Sequence, residues 1–279
     1  MVDRRSRADA KGKAALDRAF DEDNLLLVYQ PIHDLRTGDI VAAEALVRQL
    51  RESGEVREAS IITKAAEHGP GPELFLFDSV TTRLAFHDAA RWQKQFDVRL
   101  NVNLSPREFQ EGDVLGRVTK LVSGCGIDTH KINLEITEAS YIKDPEATML
   151  VLDELKKLGM ELWLDDFGTG HSTVEHLLRF PVDGLKVPAT FMEGVPADHT
   201  SVAISRALIE LAHELKLRVI AEGVEREEQV TFLKDAGCDY VQGFLYSKPM
   251  TAEKFDGLLN NDSPQRHRGD TESTESKTP

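Results

Sequence analysis

Leu162-Trp163-Leu164-Asp165-Asp166-Phe167-Gly168-Thr169-Gly170 is a short apolar run that ends on two adjacent carboxylates and then breaks into glycines. Adjacent acids repel each other, and keeping them beside a core is costly unless something cationic sits on them. The pair therefore reads as a candidate metal site at the C-terminal end of a buried strand. The plainer alternative is a turn whose Asp side chains cap a following helix. The same context recurs along the chain. Ile40–Ala43 leads into Glu44, Ile132–Leu134 into Glu135, Arg218–Ala221 into Glu222, Arg99–Val102 into Asn103 and Gly184-Leu185 into Lys186. Any one of these could be a salt-bridged structural residue. Together they point to one shared site, because a parallel β/α barrel brings the C-terminal ends of its strands to a common rim.

The elements that must position these residues follow from hydrophobic periodicity. Strand-like runs are expected at Leu25–Ile32, Ile40–Leu46, Arg99–Leu104, Ile132–Ile136, Glu161–Leu164, Gly184–Val187, Arg218–Ala221 and Tyr240–Leu245. Helical patterns fall between most of them, at Pro72–Trp92, Asp113–Ser123, Pro145–Leu158, Ser172–Phe180, Ser201–Leu215 and Arg226–Ala236. Only His33–Asp39 joins the first two runs, too short a stretch for a crossover helix, so those two should pair antiparallel. The expected fold is α/β, a modified TIM (β/α)8 barrel with one antiparallel strand. Gly124, Gly126, Gly159 and Gly237 fall where helix C-caps are expected.

Composition bounds the partners. At 279 residues with 41% hydrophobic side chains, the chain can bury one large core. Its formal net charge of −14 disfavours nucleic-acid polymers and anionic membrane surfaces, so an anionic ligand must be captured by local features. Cys125 and Cys238 are far apart and lack metal-ligand spacing. No apolar run approaches a membrane span and residues 1–13 lack a signal-peptide core, so a cytoplasmic protein is expected. Residues 1–13 form a polar N-terminal segment, 14–260 the folded domain, and 261–279 a polar tail expected to be disordered.

Several motifs then carry a resemblance. Tyr29-Gln30-Pro31-Ile32, Glu44-Ala45-Leu46-Val47-Arg48, Asn103-Leu104-Ser105, Glu135-Ile136-Thr137-Glu138, Asp165–Gly170, Glu222-Gly223-Val224-Glu225 and Gln242-Gly243-Phe244 stand in the order of an EAL domain. The chain resembles that family of bacterial cyclic di-GMP phosphodiesterases. The resemblance implies hydrolysis of cyclic di-GMP to linear pGpG with two Mg²⁺ or Mn²⁺ ions per active site. By motif position, Glu44, Asn103, Glu135 and Asp165 would ligate one ion, and Asp165, Asp166 and Glu222 the second. Lys186 would hold the nucleophilic water, so Lys186, Glu44, Glu222 and Asp166 form the expected catalytic set. Gln30, Leu46, Arg48 and Gln242 would contact substrate, and Glu138 would anchor the loop Phe167–Thr173. A homodimer is also implied, and a separate regulatory protein partner is a further expected source of control.

The chemistry suits these residue types. A phosphodiester resists hydroxide, and two divalent ions ~3.5–4 Å apart would activate water and stabilise the attacking and leaving oxygens. Hard oxygen donors suit Mg²⁺ and Mn²⁺. The charges of Glu44, Glu135, Asp165, Asp166 and Glu222 would be balanced by two such ions and Lys186. Asp166-Phe167-Gly168 also matches a kinase metal motif, but no Gly-rich phosphate loop or His-Arg-Asp loop accompanies it. The chain departs from the family at Lys186-Val187-Pro188, where Lys-Ile-Asp is usual, at Gln49, and at His171 in place of Tyr. The competing reading is a catalytically weakened EAL domain serving as a cyclic di-GMP receptor or protein-interaction module.

Overall fold

The structure, a computed structural model, describes residues 25–50, 56–58, 73–106, 109, 113–137, 145–169 and 174–262. Glu138, Gly170, His171, Ser172, Thr173, the segment 1–13 and the chain beyond 262 lie outside the described residues. The strands are β1 (Leu25–Asp34), β2 (Ile40–Leu50), β3 (Val56–Glu58), β4 (Arg99–Leu104), β5 (Ile132–Thr137), β6 (Glu161–Asp165), β7 (Gly184–Val187), β8 (Arg218–Ala221) and β9 (Tyr240–Val241). Helices α1 (Glu73–Trp92), α2 (Val114–Cys125), α3 (Pro145–Lys157), α4 (Val174–Arg179), α5 (Ala189–Met192), α6 (His199–Glu214), α7 (Glu227–Asp235) and α8 (Ala252–Asp262) intervene.

The sheet runs β1-β9-β8-β7-β6-β5-β4-β2-β3, and the additional β1–β2 pairing closes a modified TIM barrel that leaves β3 hanging on β2. β2 and β4 through β9 are parallel where they pair, while β1 is antiparallel to both of its neighbours, β2 and β9. The short connection expected to force an antiparallel hairpin does so. Asp34 Oδ1 accepts from the backbone N–H groups of Arg36 and Thr37 at 2.8 Å each, tightening the turn. The register then sets Gln30 opposite Glu44, and a bulge at Ile32/His33 shifts the remainder.

Period-two alternation sorts the side chains into two cores. Leu100, Val102, Leu134, Ile136, Leu162, Leu164, Leu185, Val187, Val219 and Ala221 belong to the large apolar cluster between barrel and helices. Ile32, Ala42, Trp163 and Ile220 form a separate small cluster, which is the apolar plug inside the barrel. Trp163 fills this plug because β7 presents Gly184 beside it: a Cβ there would lie 2.4 Å from two carbons of the indole ring. Strand β5 shows the consequence, with Ile132 to Ile136 all buried, alternate residues being packed against helices and against the barrel interior.

Differences from the expected elements have local causes. β9 ends at Val241 rather than Leu245, because Gly243 passes so close to Val224 that a Cβ would sit 2.0 Å from its carbonyl oxygen. The backbone there turns, with Leu245 N donating to Val224 O at 3.0 Å. Helix α8 is an element the patterning leaves unassigned, and it carries Asn261 and Asp262 in its last turn. Its Phe255 packs edge-on to Trp92 and tilted to Tyr29, with ring centroids 4.7 Å and 6.4 Å away, which fastens α8 over β1 and α1. Gly126, Gly159 and Gly237 take positive φ as expected of C-caps, whereas Gly124 lies within α2. Both cysteines are free. Among the described residues no helix is long and apolar enough to cross a membrane.

Candidate active site

The inward positions just above the Trp163 plug are polar on nearly every strand. β2 contributes Glu44, β4 Asn103, β5 Glu135, β6 Asp165 and β7 Lys186, while Glu222 and Gln242 follow directly on β8 and β9. β1 runs the other way and delivers Gln30 to the same level opposite Glu44. Lys186 is the centre of the group. Its Nζ lies 2.6 Å from Glu222, 3.0 Å from Glu135, 3.5 Å from Glu44 and 3.6 Å from Asp165, and only 1% of its side chain is exposed.

The remaining contacts orient the acids. Asn103 Nδ2 donates to Glu44 Oε1 at 3.1 Å and Gln242 Nε2 to Glu44 Oε2 at 2.7 Å. The same Gln242 amide lies 3.2 Å from Gln30 Oε1, and Gln30 Nε2 donates to the Ser247 carbonyl. Gln242 Oε1 is buried and finds no hydrogen-bond partner among the described residues. Asn101 Nδ2 donates to Glu135 Oε1 at 2.7 Å from beneath.

Four carboxylates around one ammonium leave an excess of negative charge in a largely buried place, and the proton affinities show the stress. Burial alone would lower the pKa of Lys186, but Asp165, Glu135, Glu222 and Glu44 together hold it well above the usual lysine range. Burial raises the pKa of Glu222 to about 7, with Lys186 opposing and Asp165 and Glu44 adding to the rise. Burial and the neighbouring Glu44 push Glu135 well above the carboxylate range, and Asp165 is raised chiefly by burial. Glu44 goes the other way, because Lys186 and the amides of Gln242 and Asn103 outweigh the cost of burial.

The donor set fits hard divalent cations in kind and in charge: carboxylate oxygens and an Asn and, among the described residues, no thiolate and too few cations to neutralise the acids. Among the described residues no three His, Cys, Asp or Glu side chains are spaced as a ready cage. The carboxylates instead converge on Lys186 Nζ.

Asp166 stands at the exposed rim beside this cluster with φ 56°, a left-handed conformation uncommon for a residue other than glycine. Its N–H donates to Asp165 Oδ1 at 2.8 Å, and its carbonyl accepts from Thr169 Oγ1 at 2.9 Å. Aspartate tolerates this region better than bulkier side chains do, and the turn carries the chain sharply off the end of β6.

The structure thus brings together Glu44, Asn103, Glu135, Asp165, Lys186, Glu222, Gln30 and Gln242, with Asp166 adjacent. Leu46 and Arg48 lie farther along β2, half-buried. Arg48 Nη1 donates to the Val47 carbonyl at 3.1 Å, and among the described residues no ion pair joins it to the carboxylates. Pro188 is buried and occupies the N-cap of α5 with no side-chain cap. Sequence reasoning missed Asn101. Its place two residues before Asn103 on one strand, hence on the same inward face, was the available signal.

Residues 13–249 match the model of the EAL domain family. The chain is 33% identical over 246 residues to the cyclic di-GMP phosphodiesterase PdeR of Escherichia coli K12, covering 86% of this chain and 36% of that protein. It superimposes on the PaMucR phosphodiesterase in its c-di-GMP complex with a TM-score of 0.81 and 29% identity, covering 88% of this chain and 99% of that one. Klebsiella pneumoniae BlrP1, in a manganese and cy-diGMP complex, aligns with a TM-score of 0.71 and 27% identity over 81% of this chain and 56% of that one. The chain spans about a third of the length of the curated relatives it matches.

Proposed function

The chain belongs to the EAL domain family, and from that premise we propose that it is a cyclic di-GMP phosphodiesterase, opening one phosphodiester of the ring to give linear pGpG with two Mg²⁺ or Mn²⁺ ions. The observation that carries the reading is the buried Lys186 ammonium encircled by Glu44, Glu135, Asp165 and Glu222 at the barrel rim. A cluster so rich in acid is costly to bury unless divalent cations take up the surplus charge. PdeR and the PaMucR and BlrP1 complexes support the substrate class, and BlrP1 supports the metal class.

In this reading Glu44, Asn103, Glu135 and Asp165 would hold one ion, and Asp165, Asp166 and Glu222 the other. Bound there, the ions would lower the pKa of a water and stabilise charge on the attacking and leaving oxygens. Lys186 has three N–H donors and a fixed position, so it can hold the attacking water in line with the phosphorus while its neighbours keep it protonated. Asn103 and Gln242 keep the Glu44 carboxylate turned into the site. Gln242 Oε1, without a partner among the described residues, offers an acceptor to an N–H of the substrate, with Gln30 bracing the amide. Arg48 would swing from the Val47 carbonyl to a substrate phosphate, where its forked donors fit. Glu138 would anchor the loop after Asp166.

The assembly proposed is a homodimer through the Asp165–Thr173 loop and α4, supported by the exposure of Leu178 at 65% on that helix. Light scattering should give twice the monomer mass, and a fully active monomer would remove pairing from the mechanism. The activity itself is tested by incubating the chain with cyclic di-GMP and Mg²⁺ or Mn²⁺ and separating the nucleotides. A linear pGpG product is expected. Stoichiometric binding with no product would replace the enzyme reading with a receptor.

A further inference from the structure

Beneath the acids, a line of side chains crosses the barrel interior past the Trp163 plug. Arg99 Nη1 donates to Asn133 Oδ1 at 3.2 Å, Asn133 Nδ2 to Asn101 Oδ1 at 2.8 Å, and Asn101 Nδ2 to Glu135 Oε1 at 2.7 Å. Asn101 and Asn133 are register partners on the adjacent parallel strands β4 and β5, so their side chains leave the sheet side by side. Both are fully or almost fully buried, at 0% and 2% exposure. At one end stands a guanidinium that can only donate, and at the other Glu135 Oε1, which accepts from the Asn101 amide. An amide that turned over would face oxygen to oxygen or nitrogen to nitrogen, so the two ends together dictate the sense of both asparagines.

We propose that Asn101 is a positioning residue for Glu135, and that Asn133 and Arg99 set the direction in which its amide faces that carboxylate. Glu135 shares its other oxygen with Lys186 at 3.0 Å. One oxygen is thus held by a fixed amide, and the second is free to exchange Lys186 for a cation without the side chain rotating. Partners placed behind a metal-binding side chain tune affinity in this way. The inference rests on the reading of Glu135 as a metal ligand.

The test is calorimetric titration of the full chain with MnCl₂ in the absence of nucleotide, with thermal melting to confirm folding. Asn101→Asp keeps the shape but replaces the donor with an acceptor, and should weaken the tighter Mn²⁺ event roughly tenfold, within the range seen for such partners. Asn133→Asp retains the acceptor for Arg99 but cannot donate to Asn101, so it should turn the Asn101 amide around and also weaken binding roughly tenfold. Asn133→Ala removes the brace without reversing anything, and should cost only about threefold. A structural role alone would rank the variants by melting temperature, whereas the relay ranks Asn133→Asp below Asn133→Ala in Mn²⁺ affinity whatever their stability. Equal affinity of folded Asn101→Asp and wild type, or of the two Asn133 variants, overturns the proposal. Should neither aspartate variant fold, Asn133→Ala decides against wild type, and an unaltered affinity overturns it. Absence of Mn²⁺ binding in the wild type would instead refute the metal reading of the site.

Discussion

The two ends of the barrel interior invert each other's charge. At the C-terminal rim one lysine, Lys186, meets four carboxylates. At the opposite end one carboxylate, Glu161, meets two guanidiniums: Arg99 at 2.9 Å and Arg218, which also lies over the Trp163 ring at 5.4 Å. The lower cluster is closed, because both guanidiniums share Glu161 and reach partly into solvent, which takes up the remaining positive charge. The upper cluster is open, because among the described residues the acids outnumber the cations and Lys186 is buried among them. The contrast separates charges balanced at the base of the barrel from charges left in excess at its rim, a distinction that either end alone would not make.

The largest effects should come from unbalancing the upper end. Glu44→Ala and Lys186→Ala should each lower cyclic di-GMP turnover by at least ~10²-fold, the scale of losing a key electrostatic group. Steady-state kinetics under Mn²⁺ measures this, and wild-type rates in both variants would remove the assigned roles.

The plug between the two ends can be probed next. Gly184→Ala drives a methyl into the Trp163 ring. Overpacking of this kind costs about 1–3 kcal/mol, read by chemical denaturation. An unchanged midpoint would show that the indole yields freely and that the two ends are not rigidly spaced.

A smaller effect tests how open the rim is. Pro188 stands where the family usually places an Asp, and proline offers neither carboxylate nor N–H. Pro188→Asp should lower the Mg²⁺ concentration for half-maximal turnover roughly tenfold, as a restored neighbour of the second ion would. An unchanged requirement in a folded variant would make Pro188 a packing substitution at the N-cap of α5. At the lower end, Arg218→Ala should destabilise by about 1–2 kcal/mol through the lost charge-assisted hydrogen bond and ring contact. Mn²⁺ should raise its melting temperature as much as that of the wild type, because ligand binding to the folded state adds stability by mass action. Loss of that Mn²⁺ response would join the two ends functionally and blur the contrast.

Much of this arrangement is readable from residue order. Short apolar runs made β4, β7 and β8 recognisable to the residue, and the brief His33–Asp39 link foretold the β1–β2 hairpin. Acids ending apolar runs identified the rim, because strand direction alone places those ends together. What stayed hidden depends on which faces meet across the closed barrel. Asn101 and Asn133 look like ordinary strand polars until β4 and β5 are set in register. β9 reads as six residues because the apolar run continues past the turn that Gly243 makes against Val224. Arg48 could be placed on the correct strand, but its present bond to the Val47 carbonyl was not foreseeable from spacing.

The most direct measurement mixes excess protein with cyclic di-GMP and Mn²⁺, quenches at intervals and separates the nucleotides, for wild type, Lys186→Ala and Arg218→Ala in parallel. The account predicts conversion to pGpG by wild type, conversion within about threefold of it by Arg218→Ala, and a loss of at least ~10²-fold in Lys186→Ala. Nucleotide bound but intact in the wild type, or equal losses in the two variants, would contradict it.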